Sequence, residues 1–159
     1  MEGWCIAGGI ELACWCDFTV AGQGATFAAF SRRWGVAWVD GGTQRMTRRV
    51  GAGNALYLLE SAEPIDTSRA LAMGLVQEVV PTGRALPRAM ELAERIAAFP
   101  QWSLRADRRS VLEGIGLPLE EGLAREAATG RAAENDELRA GVTRFEEKRE
   151  GGAAGTLHP

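Results

Sequence analysis

Between Gly3 and Asp17 the chain runs Gly-Trp-Cys-Ile-Ala-Gly-Gly-Ile-Glu-Leu-Ala-Cys-Trp-Cys-Asp, and the Ala7-Gly8-Gly9 turn in its middle constrains the fold more than any other feature. An apolar run enters the turn and a helix-like segment leaves it, with an acid, Glu11, in the first helical turn. The first N–H groups of such a helix have no partner within it. They point, with the positive end of the helix dipole, at whatever lies beside Gly8. That arrangement can hold an oxyanion with a carboxylate close by.

The rest of the chain alternates briefly and then becomes helical. Gly3 to Ala7 reads as a short buried strand and Gly9 to Cys16 as a helix. Phe18 to Ala21 and Ala25 to Ala28 read as strands joined by a turn at Gly22-Gln23-Gly24. Thr43 to Val50 and Ala55 to Glu60 are helical on either side of Gly51-Ala-Gly53, and a helix over Thr67 to Met73 ends at Gly74. Leu75 to Val80 is a last strand, closed by Pro81. Beyond it Ala89, Leu92, Ala93, Ile96 and Ala97 fall at helical spacing. Helices over Leu104 to Leu112, Leu119 to Ala128 and Glu134 to Lys148 follow, and no internal repeat is visible.

A chain of 159 residues with this composition suits one ordinary globular domain. Its charge of −3 comes from interspersed residues of both signs, so nucleic acid is not an expected partner. Cys5, Cys14 and Cys16 are odd in number and lie in apolar sequence, where free cysteine behaves as a small buried hydrophobe. Cys14-x-Cys16 lacks a second ligand pair and the single histidine is His158, so no metal site is expected. Nothing in the sequence reads as a secretion signal or a membrane span, and a cytoplasmic location is the expectation.

Four ordered blocks carry a family resemblance. They are Ala7-Gly-Gly-Ile-Glu-Leu12 with Ala13-Cys-Trp-Cys-Asp17, Gly41-Gly-Thr-Gln-Arg45 running on to Val50-Gly51, Glu63-Pro-Ile-Asp through Val80-Pro81, and Phe145-Glu-Glu-Lys-Arg149. Together they resemble the crotonase (enoyl-CoA hydratase/isomerase) superfamily over nearly the whole chain. The resemblance implies an α/β crotonase-like β/β/α spiral, the ClpP/crotonase fold, truncated at its N-terminus and followed by a helical trimerisation region. Residues 1–81 correspond to the later part of the spiral core, 82–150 to the helical region and 151–159 to a Gly-rich, disordered tail. In complete members, earlier strand and helix units supply the first oxyanion-hole N–H, so the chain alone is expected to bind CoA thioesters poorly.

The same resemblance implies the chemistry. Crotonases hold an acyl-CoA carbonyl between two backbone N–H groups that stabilise an enolate or thioenolate. Gly8, the middle glycine of the turn, falls on the helix-side donor, and Ala7 replaces the first glycine. Glu11 falls on the first of two acids that hydratases use to deliver water; its other reading is an acid that complements the helix dipole. The second acid belongs twenty positions later, where neutral Ser31 stands. Asp40 keeps two readings, a substitute functional acid or a cap for the helix after Gly42. Isomerase and dehalogenase members carry their aspartate one position earlier.

Arg32, Arg33 and Trp34 line the acyl pocket or make surface contacts, with a pairing of an arginine to Asp40 or Glu11 left open. Phe145 and Lys148 resemble the patch that reaches the nucleotide end of CoA; a solvated charge run is the plainer reading. With Ala7, Ser31 and Trp34 they form the expected substrate-binding set. The expectation is an acyl-CoA enzyme of the hydratase/isomerase type that needs no cofactor beyond the CoA of its substrate. It is expected to work as a homo-oligomer, trimer or hexamer. Another crotonase reaction, such as hydrolysis, decarboxylation or isomerisation, and a non-catalytic assembly subunit are the alternatives.

Overall fold

The computed structural model describes residues 1–131 and 136–150, and the side chains of all of these except 131 and 148–150. The chain forms two compact units, divided at Glu94 and Arg95. The expected tail at 151–159 and the helix start at Glu134 lie outside the described residues.

In the first unit, β1 (Trp4–Ile6) leads through Ala7 into α1 (Gly8–Trp15). Ile10, Ala13 and Cys14 fall at helical spacing and bury one face of α1. β2 (Val20–Gly22) and β3 (Thr26–Ala28) flank the Gly22–Gly24 turn but do not pair with each other. β3 lies parallel to β1, with Cys5 opposite Phe27, while β2 lies parallel to β5 (Glu78–Val80) in a second sheet. The turn therefore moves the chain from one sheet to the other. β4 (Ile65–Asp66), which has no clear period-2 signal in the sequence, closes the first sheet antiparallel to β3. Leu75 and Val76, expected in the last strand, are buried but precede it.

The two helices expected around Gly51 are one element, α2 (Gly42–Ser61), broken at Gly51 with φ 78 and ψ 159. Only glycine adopts that conformation without strain. The break lets both halves bury residues in one core, Met46 and Val50 before it, Ala55 and Leu58 after it. α3 (Thr67–Ala72) starts at Asp66, whose side chain accepts from the Arg69 N–H at 2.8 Å, a normal cap. Gly74 follows it with φ 80.

Glu2 fastens the start of the chain. Its Oε1 accepts from the Gly83 and Ala85 N–H groups at 3.0 and 3.1 Å and so caps α4 (Ala85–Ala98). In the second unit, α5 (Gln101–Gly114) packs on α6 (Leu119–Arg131). Glu137 of α7 (Asp136–Glu150) accepts the Trp102 N–H at 2.8 Å, near the start of α5. No helix among the described residues is long and apolar enough to cross a membrane.

The three cysteines are free, but only Cys5 and Cys14 are buried; Cys16 is exposed just past the end of α1. Trp4, Trp15 and Trp34 are likewise exposed. Burial pushes the Cys5 thiol up to about 11 from its ordinary 9.0, and burial also raises Cys14. A thiol pKa raised by folding stabilises the protein fully below 9.0 and loses that contribution as pH rises through about 11. Urea unfolding of the wild type should therefore show a stability loss over that window that Cys5→Ala reduces. Gly51→Ala should destabilise by about 1–3 kcal/mol in the same assay, because alanine is strained at φ 78.

Candidate active site

Ala7 adopts φ 46 and ψ −111, a conformation that glycine takes readily and alanine does not. Three bonds hold it there. Its N–H donates to the Ala28 carbonyl at 3.0 Å, extending the β1–β3 pairing by one residue. Its carbonyl accepts from Ile10 and Glu11 N–H at 2.9 and 3.1 Å and closes the first turn of α1. The strand thus turns into the helix within one residue, at a strain cost of about 1–3 kcal/mol. Gly8, the first helical residue, is exposed, and a Cβ built on it would meet no atom within 4 Å. Its N–H, one of the helix's orphan donors, is open to approach.

Glu11, one turn into α1, is only 4% exposed. Its Oε1 accepts two backbone N–H groups from the entry to α2, Asp40 at 3.0 Å and Gly42 at 2.9 Å. A Cβ on Gly42 would collide with Glu11 Cγ and stand 2.7 Å from Oε1 and 2.6 Å from Trp38 Cε3. Glycine at 42 is therefore what lets the carboxylate reach the backbone. One helical turn beyond Glu11, Trp15 Nε1 donates to the Asp40 carbonyl at 2.8 Å, and the Arg45 guanidinium lies 3.7 Å above the Trp15 ring. Both polar groups of the Asp40 backbone are thus held from one face of α1.

This overturns the reading of Asp40 as a helix cap. α2 enters through Gly41, at φ 83, without a capping side chain of its own. Its first donor, the Gly42 N–H, is taken by Glu11 from across the fold. At the other end of α1, Arg49 Nη1 donates to the Ala13 carbonyl at 3.1 Å and Nη2 to the Cys16 carbonyl. The two helices are cross-linked near both ends of α1.

Ser31 sits in a 3-10 turn, Phe30–Trp34, that the sequence reading did not identify. Its Oγ accepts from Trp38 Nε1 at 2.6 Å. Trp38 is half-buried against the core, with the edge of its ring over Gly42 and beside the Glu11 side chain. Ser31 and Glu11 are therefore linked through one indole. The arginines of this turn do not serve the acids. Arg32 Nε donates to the Leu59 carbonyl at 3.4 Å and Arg33 Nη2 to the Ala62 carbonyl at 3.3 Å, both at the exit of α2, while Arg33 also stacks on Phe30 at 4.1 Å. Trp34 is 82% exposed.

Phe145 lies in the second unit, 69% exposed, and the Lys148 side chain lies outside the described residues. Among the described residues no three His, Cys, Asp or Glu side chains converge as a metal site would require. Trp38, Trp15 and Arg49 were missed in the sequence. Of these only Trp15 had a local signal, its position four residues after Glu11 on the same helix face.

The family model for enoyl-CoA hydratase/isomerase matches residues 1–152. Crotonyl-CoA hydratase of Syntrophomonas wolfei is 35% identical over 150 residues, 94% of this chain and 58% of that protein. 2,3-Dehydroadipyl-CoA hydratase of Escherichia coli is 34% identical over 150 residues, 94% of this chain and 59% of that protein. The crystal structure of enoyl-CoA hydratase from Bacillus anthracis superposes with a TM-score of 0.87 at 31% identity, covering 92% of this chain and 57% of that one. The chain thus spans less than three-fifths of the length of these proteins, and over that span it has the crotonase fold.

The Gly42 contact generates a direct test. Gly42→Ala should force Glu11 and Trp38 apart, with a stability loss of about 1–3 kcal/mol typical of overpacking. Thermal or urea unfolding measures it, and an unchanged midpoint would contradict the packing described.

Proposed function

The chain belongs to the enoyl-CoA hydratase/isomerase family, and from that premise we propose that it carries the acid/base part of an acyl-CoA site. Gly8 donates its N–H to the thioester oxygen and Glu11 exchanges a proton with the acyl chain. The observation that carries this reading is the fixed Glu11 carboxylate, buried and held by Oε1 on two backbone N–H groups. Oε2 is then the oxygen that meets the substrate. A base held in one position reacts without first being reoriented, which is how positioning lowers a barrier.

The proposed sequence is short. The acyl thioester binds with its carbonyl oxygen at the start of α1. Glu11 removes a proton from a carbon conjugated with that carbonyl, and the electron pair moves onto the oxygen. The Gly8 N–H and the α1 dipole stabilise the resulting enolate. The proton then returns to a carbon of the same conjugated system; in hydration Glu11 instead takes a proton from water as its oxygen adds to C3 of an enoyl thioester, and the enolate so formed is protonated at C2. By family likeness, residues that precede the turn in longer relatives provide the second oxyanion donor.

Ala7, Ser31 and Trp34 border this site. No cofactor is required beyond the CoA of the substrate. The assembly is a homo-oligomer, trimer or hexamer, working in the cytoplasm. Asp40 is the second candidate for the acid, because its backbone is held on both sides beside Glu11.

The two carboxylates separate by mutation in the longest natural product of the gene. Glu11→Gln should lower kcat by at least about 100-fold with KM little changed, the mark of a group used in the transition state. Asp40→Asn should leave kcat within about twofold and the unfolding midpoint unchanged, since its side chain does not cap α2. The reverse pattern would transfer the chemistry to Asp40.

A further inference from the structure

Trp15 is 55% exposed, yet it is fixed at two points to the entry of α2. Its Nε1–H, the one polar hydrogen of the side chain, donates to the Asp40 carbonyl at 2.8 Å. Its ring face carries the Arg45 guanidinium at 3.7 Å, and Arg45 lies in the first turn of α2, where its N–H donates to the Gly41 carbonyl at 3.0 Å. Trp15 and Glu11 are four residues apart on α1, so both reach the same three peptides from one helix face. Glu11 Oε1 accepts from the N–H groups of the outer two, Asp40 and Gly42, at 3.0 and 2.9 Å. Trp15 donates to the carbonyl of the peptide between them, which leads into Gly41 at φ 83.

The two anchors depend on different things. Glu11 holds its N–H groups by charge-assisted bonds, which are roughly twice as strong as bonds between neutral groups. Whenever Glu11 carries a proton that hold weakens. The Trp15 bond joins two neutral groups and is the same in either state. We infer that Trp15 is a positioning residue that keeps the Asp40-Gly41-Gly42 turn seated against Glu11 while the carboxyl is protonated, so that the acid gives up its proton from the place where it received it. The inference rests on the acyl-CoA reading above, which supplies the proton. Trp15 acts through the turn and not on the substrate, because its N–H is committed to Asp40.

The test uses Trp15→Phe, which keeps a ring beneath Arg45 and drops the N–H, and Glu11→Gln, which leaves a neutral acceptor in place of the carboxylate. In the 159-residue chain, amide hydrogen exchange at Asp40 and Gly42, read by NMR, should quicken about three- to tenfold in Trp15→Phe, the worth of one neutral hydrogen bond. Adding Trp15→Phe to Glu11→Gln should quicken it by the same factor again, while the amides of buried Ile10 and Leu58 keep their rates. In the longest natural product of the gene, Trp15→Phe should lower kcat on crotonyl-CoA or trans-3-hexenoyl-CoA about three- to tenfold with KM little changed. Unchanged exchange at Asp40 and Gly42, a quickening that vanishes beside Glu11→Gln, or a quickening without loss of kcat overturns the role of Trp15. So does faster exchange at Ile10 and Leu58 as well, which would make the indole a support of the whole fold. A wild type that turns over neither thioester, or one whose turnover survives Glu11→Gln, overturns the acyl-CoA reading itself, and the exchange rates still decide whether Trp15 holds the turn.

Discussion

Everything near the start of α1 depends on one carboxylate oxygen that accepts two backbone N–H groups. Glu11 belongs to one helix and satisfies the entry of another, so α1 and α2 cannot move apart without leaving buried donors unpaired. Each donor left so would cost about 1–3 kcal/mol. The glycine at 42 is a consequence of that bond, since any side chain would occupy the place of the carboxylate. Gly41, at φ 83, follows from it too, because the chain must turn sharply to present both N–H groups to one oxygen. A residue suited to acid/base work is thereby also a structural tie.

The strain at Ala7 has the opposite character. A glycine there would be at ease, whereas alanine at φ 46 is kept in place by the pairing to β3 and the first turn of α1. Surrounding bonds over-determine the position, which is the condition under which a strained backbone persists. The strain sits immediately before the open Gly8 N–H. The strand cannot relax into an ordinary loop without moving that donor, so the geometry of the turn is rigid even though its residues are small.

What could be read from the sequence was what is local. The turn at Ala7, the acid four residues later and the Gly42 helix start are encoded within a few positions each, and they stand where the periodicity and the turn residues put them. Gly51 was legible as a boundary but not as a kink within one helix, because φ and ψ of one residue carry that information. The separation of β2 and β3 into different sheets was invisible for another reason: parallel partners such as β5 lie more than fifty residues away and leave no short-range mark. Of the two readings of Asp40, the cap fails because the group that meets the Gly42 N–H comes from a different helix. Nothing near Trp38 in sequence announces Ser31, seven residues back, as its partner.

The break in α2 has one more consequence. Arg32 and Arg33 bond the carbonyls at the exit of α2, while Ser31, the residue before them, is tied through Trp38 to its entry. A single helix, kinked at Gly51, thus grips the 3-10 turn from both of its ends. In terms of cooperative unfolding the turn has no private opening: to swing it outward, both termini of α2 must lose their partners together. Thermal loosening of this region would therefore be all-or-none over residues 30–62 rather than a graded fraying of one loop.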